Sequence, residues 1–565
     1  MARPGRAFRW VRRNFSTPGL LLGTLFFAAS LAPSLLPREN LAQGVISGLS
    51  LAVGYGVGVL GSWLWDYLEL PVPRGRVRRR TRFVTAGVCL ALAAVALWRA
   101  SEWQNSVRAL MGLEEDATTR AVLVGVVAIA VFLAVLMSAR LFQWSAQALS
   151  RRLQRWVPRR ISHLVGLLAA FFVFWSVIDG VLFSWALRVT DASYQQADAL
   201  MDPETEPPTN PMRSGSEASL LSWEDMGRQG RRFVSRGPTA EDLEPFAQEP
   251  TPEPIRVYVG MGAAETPEEG ARLALEELQR VQAFDRSVLV LITPTGTGWV
   301  DPGAIDPVEY LHRGDIASVA AQYSYLASPL ALLTEAEHGQ EVARALFQEV
   351  YGYWTELPED DRPDLYLHGL SLGSLHSDQS FDLFDIIDDP FHGALWSGPP
   401  FRKETWRTVT ARREPNSPAW LPEFRDGSVV RFANQAGGLA NVDADWGTFR
   451  MAYLQYASDP ITFFEPEAFY REPDWMQEPR GPDVSDDLRW FPAVTMLQLA
   501  WDMAAGSAPT GFGHEYAVED YLEAWVALSE PEGWSNEELA RLRRHLSERS
   551  GAPRRRRREE GFAPR

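Results

Sequence analysis

Cysteine is almost missing from this sequence: of 565 residues only Cys89 is one, and it lies in an apolar run. That excludes a disulfide framework, a thiolate metal site and a cysteine nucleophile in the C-terminal half. Lysine is equally scarce. Lys403 stands alone among arginines, which reads as a compositional bias rather than as chemistry. Positive charge is scarce wherever the chain looks soluble. Residues 1–190 hold 22 Lys+Arg against 8 Asp+Glu, whereas the remainder holds 33 against 64. So acidic a larger part excludes nucleic acid as a partner, because phosphates need Lys and Arg. No pattern calls for a cofactor or a metal. Asp385, Asp388 and Asp389 lack histidine and a fixed ligand spacing, so they read as a solvated acidic face.

What is present divides the chain. A length of 565 residues exceeds one ordinary domain, and the charge asymmetry suggests a basic membrane anchor carrying an acidic domain. Five apolar runs, at about 18–37, 43–68, 83–98, 120–141 and 164–187, each approach the ~20 residues that span a bilayer core. Arginines cluster before the first run, after the second (Arg74 to Arg82) and after the fourth (Arg151 to Arg160), while the alternate loops are poor in them. That alternation predicts a cytoplasmic N-terminus and places everything beyond about residue 190 on the outer face of the cell membrane. Trp98, Trp103, Trp144 and Trp185 near run ends fit an interfacial aromatic belt. Asp179, inside the fifth run, reads as a polar contact between helices before it reads as an ion path. Residues 191–253 are rich in Pro, Glu, Ser and Thr and read as a linker, with SWEDMGRQGRRFV (222–234) a segment that docks on the C-terminal domain. An α/β domain is expected over 254–550, then an Arg-rich tail over 551–565 whose Arg554 to Arg558 suit an anionic polymer or a disordered end.

Within 254–550 short β-rich runs alternate with helical stretches, the signature of a mostly parallel sheet. PIRVYVG (254–260), SVLVLITP (287–294), ASVAAQYSYL (317–326) and DLYLHGL (364–370) read as strands, with helices over 267–281 and 337–354. At the end of the fourth strand stands Gly369-Leu370-Ser371-Leu372-Gly373. This G-x-S-x-G sequence at a strand-to-helix junction makes Ser371 a candidate nucleophile. The Leu372 N–H becomes an oxyanion donor. The glycine-rich TPTGTGW (293–299) after the second strand offers a second donor, with Thr297 the preferred residue.

Four histidines follow Ser371. His376 sits on the helix behind the serine, His392 precedes a strand at its wrong end, and His545 lies in an Arg-rich helix. His514, in the glycine-flanked GFGHEY, is the candidate base. For the acid, MAYLQYASDP (451–460) reads as a strand ending at Asp459, with Asp443 and Asp445 as alternatives. The segment 398–450, rich in Trp, Arg and Pro, occupies the place of a lid.

GRQGRRFV, PIRVYVG, TPTGTGWVDP, GDIASVAAQYSYL, LYLHGLSLGS, LQYASDPITFF and GHEY together resemble a bacterial family of membrane-anchored α/β-hydrolases over nearly the whole chain. The resemblance implies several N-terminal spans, an α/β-hydrolase fold and a Ser-Asp-His triad, and no particular substrate. The function expected is that of a serine hydrolase acting on an acyl-ester or lipid substrate at the outer membrane face. An acyltransferase with the same triad and a non-catalytic scaffold are the alternatives.

Overall fold

In a computed structural model, which describes residues 15–72, 74–115, 121–175, 205–247, 250–326, 336–439 and 444–551, the apolar N-terminal runs form five helices among the described residues. These are α1 (Thr17–Ser30), α2 (Asn40–Tyr67), α3 (Gly75–Leu110), α4 (Ala121–Leu153) and α5 (Arg159–Trp175). The chain divides into two compact units. One comprises Met1–Val189 with Phe464–Ala508, the other Thr190–Phe463 with Pro509–Arg565.

In the helical unit, α2, α3 and α4 are long and apolar enough to cross a membrane, with mean hydropathies of 1.6, 1.9 and 2.9. Leu60, Trp63 and Tyr67 on α2, Leu90 and Trp98 on α3, and Val122 and Trp144 on α4 stand exposed. So much outward apolar surface suits a lipid solvent rather than water. Because lipid gives helices no hydrophobic reason to associate, close backbone approach must do so. A Cβ on Gly58 of α2 would lie 2.6 Å from Gly19 Cα of α1, and one on Gly48 would lie 2.7 Å from Ala128 O of α4.

The first expected span is corrected. α1 is 14 residues long, about 21 Å at 1.5 Å per residue, and the rest of the run turns back instead of continuing as helix. Leu31, Leu35 and Leu36 are buried in that turn. Asp502, on the helix Val494–Ala505 (α12), holds it there: its carboxylate accepts from Arg38 Nε at 3.2 Å and from the Leu36 N–H at 3.4 Å. Gln498 Nε2 donates to the Ser30 and Ala32 carbonyls at 3.2 and 3.0 Å. The third run, the shortest in sequence, belongs to the 36-residue α3. The end of the fifth run, with Asp179 and Trp185, lies outside the described residues, as do Asp443 and the Arg554–Arg558 tail.

The second unit is built on seven parallel strands: β1 (Ile255–Val259), β2 (Val288–Thr293), β3 (Ile316–Ala321), β4 (Asp364–Leu370), β5 (Gly393–Ser397), β6 (Val430–Ala433) and β7 (Arg450–Leu454). Their order is β1-β3-β2-β4-β5-β7-β6. Nearly every strand residue is buried, so both faces must be covered, as parallel sheets require. The helices α7 (Pro267–Arg280) and α9 (Ala336–Glu356) pack together and reach β3. On β5 and β7 lies α13 (Val518–Ser529), which packs in turn on α8 (Pro302–Leu311) and α14 (Asn536–Arg549). Apolar residues at helical spacing, such as Ala271, Ala274 and Leu278 of α7, supply the inward stripes. The helix α6 (Gly227–Ser235) lies against β1, with Phe233 under the Arg256 guanidinium at 4.8 Å.

Three boundaries differ from expectation. β3 stops at Ala321; Gln322 still gives its N–H to Val259 O at 2.8 Å, and its side-chain amide donates to the Ser324 carbonyl, 3.1 Å away. β7 stops at Leu454, five residues before Asp459. The segment 398–450 is not a lid throughout: it contains α11 (Glu404–Ala411) and β6, whose VRFA pairs with β7 from Val430↔Met451 to Ala433↔Leu454.

Candidate active site

Between β4 and α10 (Leu372–Asp378) a single residue, Ser371, makes the turn. Its φ of 58° and ψ of −125° are a backbone conformation that costs a non-glycine residue about 1–3 kcal/mol. The two flanking glycines make the turn possible. A Cβ on Gly369 would collide with the Gly373 carbonyl, and one on Gly373 with Thr293 O at the end of β2. The Ser371 N–H donates to Ser397 O at 3.0 Å, fixing the elbow to the C-terminal end of β5. Leu372, in the first turn of α10, presents one of the helix's unsatisfied N–H groups.

Opposite the elbow, the loop after β7 and the loop before α13 are bonded together. Ser458 Oγ accepts from the Gly513 N–H at 2.8 Å, and Tyr456 Oη accepts from the Ala517 N–H at 3.0 Å. Between these ties His514 Nδ1 meets Asp459 Oδ2 at 2.7 Å. Asp459 is fully buried and well supplied with donors: the Tyr516 hydroxyl at 2.7 Å, the Ile461 N–H at 2.8 Å and the Thr462 hydroxyl at 3.2 Å. The other imidazole nitrogen, His514 Nε2, bonds to none of the described residues. The ring lies against Gly398, whose absent Cβ would otherwise strike it. Gly398 follows Ser397, the residue that accepts the Ser371 N–H. The structure thus gathers Ser371, Asp459 and His514 at the C-terminal ends of β4, β7 and β5, where open parallel sheets bind their ligands.

In the loop after β2, Thr295 gives its N–H to Trp299 O at 3.0 Å and Gly298 gives its own to Thr295 O at 2.8 Å. Gly296 and Thr297 are left with N–H groups that bond to no described residue, so the residue preferred from sequence shares the part with its neighbour. Tyr258 holds this turn through its hydroxyl, which donates to Gly298 O at 2.6 Å.

The electrostatics favour a charged imidazole. Burial alone would lower the His514 pKa; the Asp459 charge and hydrogen bond override it and hold the ring above its ordinary value, helped by Glu515 and Asp301. Asp301, which caps α8 by accepting the Gly303 N–H at 2.8 Å, is itself pushed up to about 7 by burial, with Glu515 adding to the effect. The Tyr521 hydroxyl lies between Asp301 and Ser397 Oγ, at 2.9 Å from the latter. Sequence reasoning misses Asp301, Tyr516 and Tyr521. Tyr516 stands in GHEY and Asp301 in TPTGTGWVDP, but no spacing marks either as a partner of the base.

The other candidates fall elsewhere. His376 is buried behind the elbow against Gly339 and Tyr323. His392 sits at the N-terminal end of β5, its Nδ1 accepting the Leu365 N–H at 3.1 Å. His545 meets the Tyr310 hydroxyl at 3.0 Å. Asp445 is exposed, and none of its bonds among the described residues goes to His514.

The chain matches a family described as "Alpha/beta-hydrolase family" over residues 255–542, and its companion, "Alpha/beta-hydrolase family N-terminus", over residues 31–238. No curated protein and no solved structure matches. The sheet-bearing match covers more than half of the sequence and agrees with the parallel sheet and its elbow; the protein belongs to this α/β-hydrolase family.

Proposed function

We propose that the protein is a membrane-anchored serine hydrolase that cleaves an acyl ester at the outer face of the membrane. One observation carries the reading: an imidazole bonded at Nδ1 to a buried carboxylate, with Nε2 bonded to no described residue, beside an elbow serine in a strained backbone. Ser371 Oγ attacks the ester carbonyl carbon while His514 Nε2 takes its proton. Asp459 steadies the imidazolium, and N–H groups of Leu372 and of Gly296 or Thr297 bind the oxyanion. The tetrahedral adduct collapses, His514 returns the proton to the departing alkoxide, and water repeats the sequence on the acyl-enzyme.

An ester carried by a lipid or the cell envelope is the substrate class favoured by the apolar helices α2 to α4 and by the alternation of Arg-rich loops. Labelling with a fluorophosphonate, wild type beside Ser371→Ala, tests the reading. Labelling that is lost in the variant supports it, and a membrane-impermeant probe that labels intact cells supports the outer location. A folded wild type that takes up no probe refutes an activated serine. Activity on short soluble esters with none on long-chain or lipid esters refutes the substrate class.

A further inference from the structure

The chain's one lysine is fully buried. Lys403 Nζ stands 3.3 Å from the centroid of the Trp396 ring on β5 and 5.0 Å from that of Tyr453 on β7. It donates to the Ser374 carbonyl on α10 at 2.8 Å. Among the described residues no carboxylate pairs with it directly. Asp378 is the acid whose charge bears on it, and burial presses its pKa down to about 7. A methionine would fill such a space without the desolvation cost of an ammonium, and replacing buried charge by apolar side chains is often neutral or stabilising. Packing alone does not explain a lysine here.

Its connections run to the candidate triad. Ser374, which Lys403 holds, donates its N–H at 2.9 Å and its hydroxyl at 2.8 Å to the Ser371 carbonyl. Phe401, two residues before the lysine, donates its N–H to Ile461 O at 3.0 Å, and Ile461 in turn donates to Asp459 Oδ1 at 2.8 Å. Gly398 backs the His514 ring. Six consecutive residues after β5, GPPFRK, therefore reach the immediate neighbours of Ser371 and Asp459 and touch His514 itself.

We infer that Gly398–Lys403 is a brace that keeps nucleophile, acid and base in register, and that Lys403 is a positioning residue for Ser371, acting through Ser374. The inference rests on the serine-hydrolase reading above. Lys403 fixes the first turn of α10, and so the serine backbone, to β5, whose following Gly398 backs His514, and to β7, whose following loop carries Asp459.

The test compares the full-length protein in detergent with Lys403→Met, Ser374→Ala and the double variant. The readouts are the rate of fluorophosphonate labelling, kcat and KM on a short p-nitrophenyl ester, and the thermal midpoint. Lys403→Met is expected to keep or raise the midpoint and leave KM within about twofold, while kcat and labelling fall about ten- to a hundredfold, as small misplacements of reacting groups do. Ser374→Ala removes only the hydroxyl's bond to the Ser371 carbonyl and leaves the carbonyl that Lys403 holds, so it should lose less, and the loss caused by Lys403→Met should persist in the double variant. Wild-type kcat in Lys403→Met overturns the brace, as does a Lys403→Met substitution without effect in the Ser374→Ala background. A kcat loss matched by an equal loss of folded protein assigns the lysine to the fold and overturns it too. Should Lys403→Met not fold, kcat is read in Lys403→Leu, which also removes the donor to the Ser374 carbonyl, and wild-type kcat there overturns the brace. A wild type that labels at Ser371 beside an equally labelled Lys403→Met sinks only the brace; an unlabelled wild type sinks the hydrolase reading beneath it.

Discussion

The two units of this protein bury polar groups in opposite ways. The helical unit packs through glycines and gathers a cluster of buried polar bonds at one turn, where Arg38, Asp502, Gln498 and Gln43 converge on residues 30–38. The sheet-bearing unit spreads buried polar groups along the C-terminal ends of its strands, from Thr295 through Ser371 and Ser397 to Asp459. In the first, polar bonds stop a helix and secure a fold. In the second they hold Ser371, Asp459 and His514, and His514 Nε2 bonds to no described residue. Buried polarity alone does not mark a site.

Substitutions in the two units should therefore fail differently. The largest effect is expected at the base: His514→Ala should lower kcat by about 10⁶-fold at an unchanged thermal midpoint. Asp459→Asn should cost about 10⁴-fold, because the imidazole loses the partner that fixes its tautomer. Stopped assays on purified protein, normalised to folded material, read both. A midpoint that collapses with activity would erase the contrast between the units. Asp502→Asn should do the reverse, since it strands Arg38 in a buried place. A loss of about 3–5 kcal/mol in stability, with kcat per folded molecule unchanged, sharpens the comparison, and denaturation in detergent measures it.

The smallest effect is a shift of the pH profile. The base must be neutral to accept a proton, and carboxylates around His514 hold it charged to higher pH. The acidic limb should accordingly lie above the ordinary histidine value. Asp301→Asn, which removes one of those negative charges and keeps a helix-capping side chain, should move that limb to lower pH. An unmoved limb would show that Asp301 does not act on the base.

Much of the sheet-bearing unit is legible in the sequence because its signals are local. A strand followed by G-x-S-x-G dictates where Ser371 stands, and glycines around His514 announce a loop. The strand before Asp459 reads too long by the four residues Gln455 to Ser458, which are as buried as the strand but lie beyond its end at Leu454. Not all of 398–450 is free to serve as a lid, because VRFA within it is an edge strand of four residues paired with β7. Lys403 reads as compositional bias, since rarity in a sequence says nothing of burial. The chain's division at 464–508 is invisible for a different reason. Nothing local in those residues names Ser30, Ala32 or Arg38 as partners more than 400 positions away.

That division bears on how the gene can be cut. Asp459 and His514, bonded to each other, are joined in sequence through a stretch that belongs with the N-terminal helices. A fragment beginning at residue 190 would carry Gln498 and Asp502 without the groups that satisfy them, and with Val494 and Leu499 stripped of cover. A soluble form of the hydrolase half calls for two cuts rather than one: the helices removed and the interval from Phe464 to Ala508 replaced by a short polar bridge.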